Sequence, residues 1–163
     1  MDKISSLVAF VAVFILGLSA GAMLTEATVF VQFWQSLSPT EFLKWFAENE
    51  PQLARFFGSL QITSAILILA TTVLFWFKGR RGKYLSALSA LLAFAVIITF
   101  FLYFQKANAN FVTATIALED VKNELSRWAF WQWIRTALGI GAFASAISTF
   151  WQKKNPSLTV KNL

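Results

Sequence analysis

The chain alternates four long apolar stretches with short polar ones. Residues 4–25, 56–77 and 84–105 each run 22 positions without a charge, and 136–152 runs 17. The last stretch is extended upstream by Trp128, Phe130, Trp131 and Trp133. A 22-residue helix is about 33 Å long, enough to cross about 30 Å of hydrocarbon. Each stretch therefore predicts a membrane-crossing helix, with spans near 5–34, 52–77, 84–106 and 120–151. Ala20-Gly21-Ala22 has the small residues of a signal-peptide cleavage site. An h-region, however, runs only about 7–15 residues, and here the apolar run passes Glu26 and continues to Trp34. A retained first span is expected.

The polar segments predict how the spans connect. The turn Lys78-Gly79-Arg80-Arg81-Gly82-Lys83 is short, which makes spans two and three antiparallel neighbours. Ser38-Pro39-Thr40-Glu41 is a helix start, with Ser as cap, Pro at the first helical position and Glu at the third. Phe42, Trp45 and Phe46 follow at i, i+3 and i+4, so residues 39–49 predict a short interfacial helix that Pro51 ends. Residues 106–110 read as a frayed helix end, and Glu119, Lys122, Glu124 and Arg127 stand at pairing distances along a helix. The expected architecture is all-α. It is a single domain over 1–163, a four-helix up-down-up-down transmembrane bundle with an interfacial helix between spans one and two.

Composition agrees with lipid as the solvent. Apolar residues make up 57% and charged residues 13%, against about 45–50% and about 25% in soluble domains. With no Cys and no His, disulfide scaffolds, thiol chemistry, His-ligated metals and His-based triads are all excluded. Lys3, Lys78, Arg80, Arg81, Lys83, Lys153, Lys154 and Lys161 fall on one side of the membrane with only Asp2. Six basic and seven acidic residues share the other side. Basic excess marks the cytoplasmic face, so both termini are expected there, in a membrane of the bacterial inner type. The net charge of +6 follows from this topology and calls for no nucleic-acid partner.

Charges inside spans usually face the bundle interior, because insertion next to lipid costs about 2.5–3.5 kcal/mol. Glu26, Gln61 and Arg135 each lie eight residues, or about 12 Å, inside the outer ends of spans one, two and four. On span four, Glu124, Trp128, Trp131, Arg135, Gly139, Ala142 and Ala146 share a stripe. On span two, Ala54, Gly58, Gln61, Ala65 and Thr72 form a small, polar stripe. Span one presents a conflict. Gly17, Gly21, Thr25, Thr28 and Gln32 lie on one face, and Ser19, Ala22 and Glu26 lie roughly opposite. Two readings stay open: a structural Glu26–Arg135 ion pair, met directly or through Gln61 or water, or a pocket lined by Glu26, Gln61, Asn108, Trp128, Trp131 and Arg135. No metal site is expected, since one interior carboxylate is too few.

The segments Gln105-Lys106-Ala107-Asn108-Ala109-Asn110-Phe111 and Trp128-Ala129-Phe130-Trp131-Gln132-Trp133-Ile134-Arg135-Thr136-Ala137-Leu138 resemble a four-helix membrane family that includes fungal anthrone oxygenases. Most of that family has no assigned function. The resemblance implies the four-span fold and marks Asn108 or Asn110, Trp128 and Arg135 as site residues. It also implies oxygenation of an activated phenolic substrate. Without His or Cys, a cofactor-free route or an oxygen-ligated metal is what such chemistry leaves open, and no cofactor is expected. The functional expectation is a pocket for a hydrophobic or aromatic small molecule in the outer half of the bundle. The alternative is a non-enzymatic subunit that packs against another membrane protein through its Phe-rich flanks. The topology is checked by cysteine labelling of intact cells: a cysteine at position 80 is expected to be shielded from impermeant reagents, and one at position 45 to react.

Overall fold

The structure, a computed structural model, describes residues 3–151 and is all-helical over them. Asp2, Lys153, Lys154 and Lys161, which enter the charge argument, lie outside the described residues. The first rod begins as α1 (Lys3–Thr25), passes through one π-helical turn (Glu26–Phe30) and ends as α2 (Val31–Ser36). After Leu37 and Ser38 comes α3 (Pro39–Phe77), then α4 (Lys83–Thr99), a second π turn (Phe100–Phe104) and α5 (Gln105–Val112). The last helix among the described residues is α6 (Val121–Ser148). Three of these rods, Lys3–Ser36, Pro39–Phe77 and Lys83–Val112, are long and apolar enough to cross a membrane. The fourth, α6, has 28 residues but carries Lys122, Glu124, Arg127, Gln132 and Arg135, which lower its apolar character.

The Ser38 cap forms as the residues imply. The Glu41 amide donates to Ser38 Oγ at 3.3 Å, and the Ser38 amide donates to Glu41 Oε2 at 2.9 Å. Pro51, however, does not end a separate interfacial helix: α3 runs unbroken through it for 39 residues. Pro51 lies on the exposed side, where water can reach the carbonyl that loses its donor. Burial of Phe42, Leu43 and Phe46 before it, and of Phe57 and Gln61 after it, keeps one packed face on both sides. That burial outweighs a proline penalty of about 3 kcal/mol. Phe42 and Phe46 thus turn into the bundle mouth.

Residues 106–110 are likewise helical, not frayed, because Ala107 and Phe111 are buried on α5. At the far side of the loop, Lys122 Nζ donates to the Gln35 and Leu37 carbonyls at 2.8 and 3.0 Å, closing the open end of α2.

In the core, α1 packs against α3 and α6, and α4 packs against the same two helices. The packing has two characters. Toward the Lys78–Lys83 turn the contacts are small: Ala12, Ala65, Ala90, Ala93, Ala142 and Ala146 surround Leu16 and Ile68. Such residues let helix backbones approach closely. Toward the other end the core is aromatic. Trp34, Phe42, Phe46, Phe104, Phe111 and Trp128 are all buried and packed largely edge to face. The face of Ser19 and Glu26 turns inward, whereas Gly21, Thr25 and Gln32 are exposed, which settles the conflict on the first rod.

α1 and α6 pack tightly at Gly139, where an added Cβ would collide with the Met23 side chain. Gly139→Ala is expected to destabilise by about 1 kcal/mol, the low end for overpacking because a thioether can give way. Gly21→Ala, in open space, is expected to be neutral or slightly stabilising. Thermal unfolding of both variants in one detergent checks the pair.

Candidate functional site

Buried polar side chains meet at the junction of the alanine-rich and aromatic halves, the larger of them Glu26, Gln61, Gln132 and Arg135. Glu26 opens the first π turn, whose wider pitch is marked by the Val31 amide donating to the Glu26 carbonyl, an i→i+5 bond. Its carboxylate Oε2 accepts from Gln132 Nε2 at 2.8 Å. Gln132 Nε2 also reaches the Met23 carbonyl at 3.2 Å, and Thr136 Oγ1 reaches it at 3.3 Å. These bonds fasten α6 to the end of α1.

Arg135 turns the other way. Its Nη2 donates to Gln61 Oε1 on α3 at 2.5 Å. Its guanidinium lies 4.8 Å from the centre of the Phe104 ring, which the second π turn presents to it. Of the contacts expected between Glu26 and Arg135, neither the direct ion pair nor the Gln61 bridge forms: Gln61 bonds Arg135 but its Nε2 reaches no partner, and among the described residues the ion pair is the exposed Arg127–Glu124 at 3.2 Å. The reason is angular. Gln132 and Arg135 are three residues apart, about 60° around the helix, so Gln132 faces α1 and intercepts the carboxylate. Nothing in the arrangement leaves a charge without a polar partner.

Glu26, Gln61, Arg135, Trp128 and Asn108 line one cavity of about 180 Å³. Its other walls are Trp34, Phe46, Leu53, Phe57, Ile97 and Phe100, with Glu50 at the outer end and Ala54, Gly58, Ile62 and Phe101 along one side. Asn108 Oδ1 accepts from Trp128 Nε1 at 2.9 Å and so fixes that indole across the cavity. Asn110 instead holds the exposed helix end, its carbonyl accepting the Thr115 amide at 3.2 Å. Trp131 is not part of the cavity. It stacks on Tyr103 at 5.3 Å and 12°, and Tyr103 Oη donates to Glu124 Oε1 at 2.8 Å. Trp131 lies about 60° around the helix from Trp128, enough to carry it onto the α4 side.

The polar groups of the cavity are incompletely satisfied. Trp34 Nε1, Gln61 Nε2 and Arg135 Nε are buried donors without a partner, on side chains 1%, 5% and 6% exposed. The acceptor Gln132 Oε1 is also without a partner. Buried polar groups are nearly always paired; the three donors belong to side chains that line one hollow but are themselves covered, so an occupant that supplies acceptors meets them after a small side-chain rotation. The carboxylates on the cavity are Glu26 and Glu50, with no third group beside them among the described residues. That donor set is thin for a hard cation, which takes six or more oxygens. The residues that sequence reasoning passed over are Gln132 and Trp34. Gln132 could have been found as the one amide within the Trp128–Trp133 aromatic run.

Gln132→Leu removes the hydrogen bond to the buried Glu26 carboxylate and is expected to cost about 2 kcal/mol. Glu26→Leu together with Gln132→Leu is expected to cost less than the sum of the two single changes, by about 1 kcal/mol or more. A double-mutant cycle on unfolding in detergent measures this, and an additive result would show that the two side chains do not depend on each other.

No family model, no curated protein and no solved structure matches this chain, so the fold and the site stand on the chain's own residues.

Proposed function

We propose that this chain is an integral membrane protein with four spans in an up-down-up-down bundle, both termini cytoplasmic, that holds a small hydrophobic molecule in the cavity beside Arg135. Three apolar rods of membrane length and the basic Lys78–Lys83 turn support the placement. The observation that carries the binding reading is that three side chains lining a single cavity each carry a buried donor without a partner. They suit an occupant with an oxygen at one end and an apolar body.

Size narrows the occupant. A cavity of about 150 Å³ holds benzene, and drug-sized ligands need about 300 Å³ or more. At about 180 Å³ this one suits a single ring, with any larger body extending through the open side. Arg135 and Gln61 would orient the oxygen, and the Trp34 and Trp128 rings would flank the occupant. The oxygenase chemistry implied by the family resemblance would put a phenolic substrate here, with Glu26 as the group able to take its proton. A second reading, a subunit of a membrane complex, is favoured by an open apolar groove of about 340 Å³ between Phe10, Phe14, Gly17 and Phe143 on the outside of α1 and α6.

Native mass spectrometry of protein extracted in mild detergent tests the two. A co-purifying small molecule, reduced about tenfold or more in Arg135→Ala and in Gln61→Leu at unchanged helix content, is the expected result; each variant removes about one charge-assisted or strong hydrogen bond. Only protein partners in the spectrum would favour the subunit.

A further inference from the structure

The cavity has two unlike ends. Its outer end carries Glu50 and Asn108, outside the charge-free stretches of the sequence. Its side opening is formed by Gly58, Ile62 and Phe101, all inside those stretches. Ile62 is 54% and Phe101 65% exposed, and the surrounding surface is apolar: Phe56, Ile66, Ile98 and Leu102 are exposed on the same two rods. Gly58 borders this opening, and a Cβ built there meets no atom within 4 Å, so a larger side chain has room to extend across it. In a membrane this opening faces hydrocarbon, and a molecule dissolved in the bilayer can enter without crossing water.

The head of that molecule is constrained by charge and by hydrogen bonding. Glu26 and Arg135 together sum to zero, and Glu50 adds a negative charge at the outer end. An anionic head would leave water for a neutral site backed by a carboxylate, at a high desolvation cost. A cationic head brings only donors, which leaves the Trp34, Gln61 and Arg135 donors unmet and stands beside a guanidinium. A neutral acceptor meets the donors and carries no charge into the site.

From this opening and these donors, and resting on the binding reading above, we propose that the cavity takes a membrane-dissolved carbonyl compound. It enters sideways between α3 and the second π turn, past Gly58, and brings its carbonyl oxygen to the Gln61 and Arg135 side chains, which rotate slightly to turn their covered Nε2 and Nε donors onto it.

The test uses the full chain in lipid nanodiscs and four probes that share one alkylated benzene: an aryl ketone, a benzoate, a benzylammonium and the parent hydrocarbon. The ketone is expected to bind at least about tenfold tighter than the hydrocarbon, the worth of one good hydrogen bond in a dry site, and Gln61→Leu to erase most of that difference. Gly58→Leu is expected to slow both association and dissociation of the ketone, about tenfold, with a smaller change in Kd, as narrowing a passage does. Repeating the titration in diether lipid distinguishes the source of the carbonyl. Tighter ketone binding there means that ester carbonyls of the bilayer compete for the site, and equal binding means that a free molecule is the occupant; both keep the assignment. Tightest binding of either charged probe, or equal binding of ketone and hydrocarbon, overturns the carbonyl head. Unchanged rates in Gly58→Leu, or a change in dissociation alone, overturn the side entry. Failure of all four probes to bind overturns the binding reading itself.

Discussion

The rest of the structure is arranged around four polar side chains that cannot reach water. Glu26, Gln61, Gln132 and Arg135 come from three different helices and are each at least nine-tenths buried. A buried charge without a partner costs several kcal/mol, so the helices must sit at heights and rotations that bring these groups together. Gln132 reaches Glu26 and the Met23 carbonyl, which ties α6 to α1. Arg135 reaches Gln61, which ties α6 to α3. Apolar packing alone would tolerate a shift of one helix along another, because one apolar contact is much like the next. The polar layer is directional and removes that freedom.

The two halves on either side of that layer follow from side-chain size. Alanines on α3, α4 and α6 let the rods close up near the Lys78–Lys83 turn, and Gly139 admits the Met23 side chain. Near the other end the core is filled by the much larger side chains of Trp34, Phe46, Phe104 and Trp128. A hollow forms where tight packing gives way to wide packing, and it is lined by residues of both kinds. Both π turns, Glu26–Phe30 and Phe100–Phe104, fall at this transition and contribute cavity-lining side chains. A π turn adds a residue to the helix and so rotates the side chains of the next turns without breaking the rod.

Two glutamines and one asparagine determine which groups remain open. Gln132 occupies the Glu26 carboxylate, Asn108 occupies the Trp128 indole, and Gln61 offers its oxygen to Arg135 while keeping its amide free. The Arg135 guanidinium also rests on the Phe104 ring, so its orientation is held by a hydrogen bond on one side and a cation–π contact on the other. Three donors and one acceptor, Gln132 Oε1, are left without a partner, and the three donors belong to side chains that line the cavity.

Much of this was legible in the residues. Charge-free runs of 22 residues predict helices because burial of apolar surface and internal pairing of the backbone both demand them. The Ser38–Glu41 capping box is local chemistry and forms as its residues dictate. The common level of Glu26, Gln61 and Arg135 follows from counting residues, and the small stripe of Ala54 and Gly58 follows from helical periodicity. Four features were decided by the tertiary structure: the passage of α3 through Pro51, the π turns, the choice of Gln132 over Arg135 as the partner of Glu26, and the exclusion of Trp131 from the cavity. Each has the same origin. Periodicity places a side chain on a face about 100° wide, but contact is settled by angular differences of about 60° and by neighbours on other helices. A proline penalty of about 3 kcal/mol can be outweighed only by burial that the local sequence does not contain.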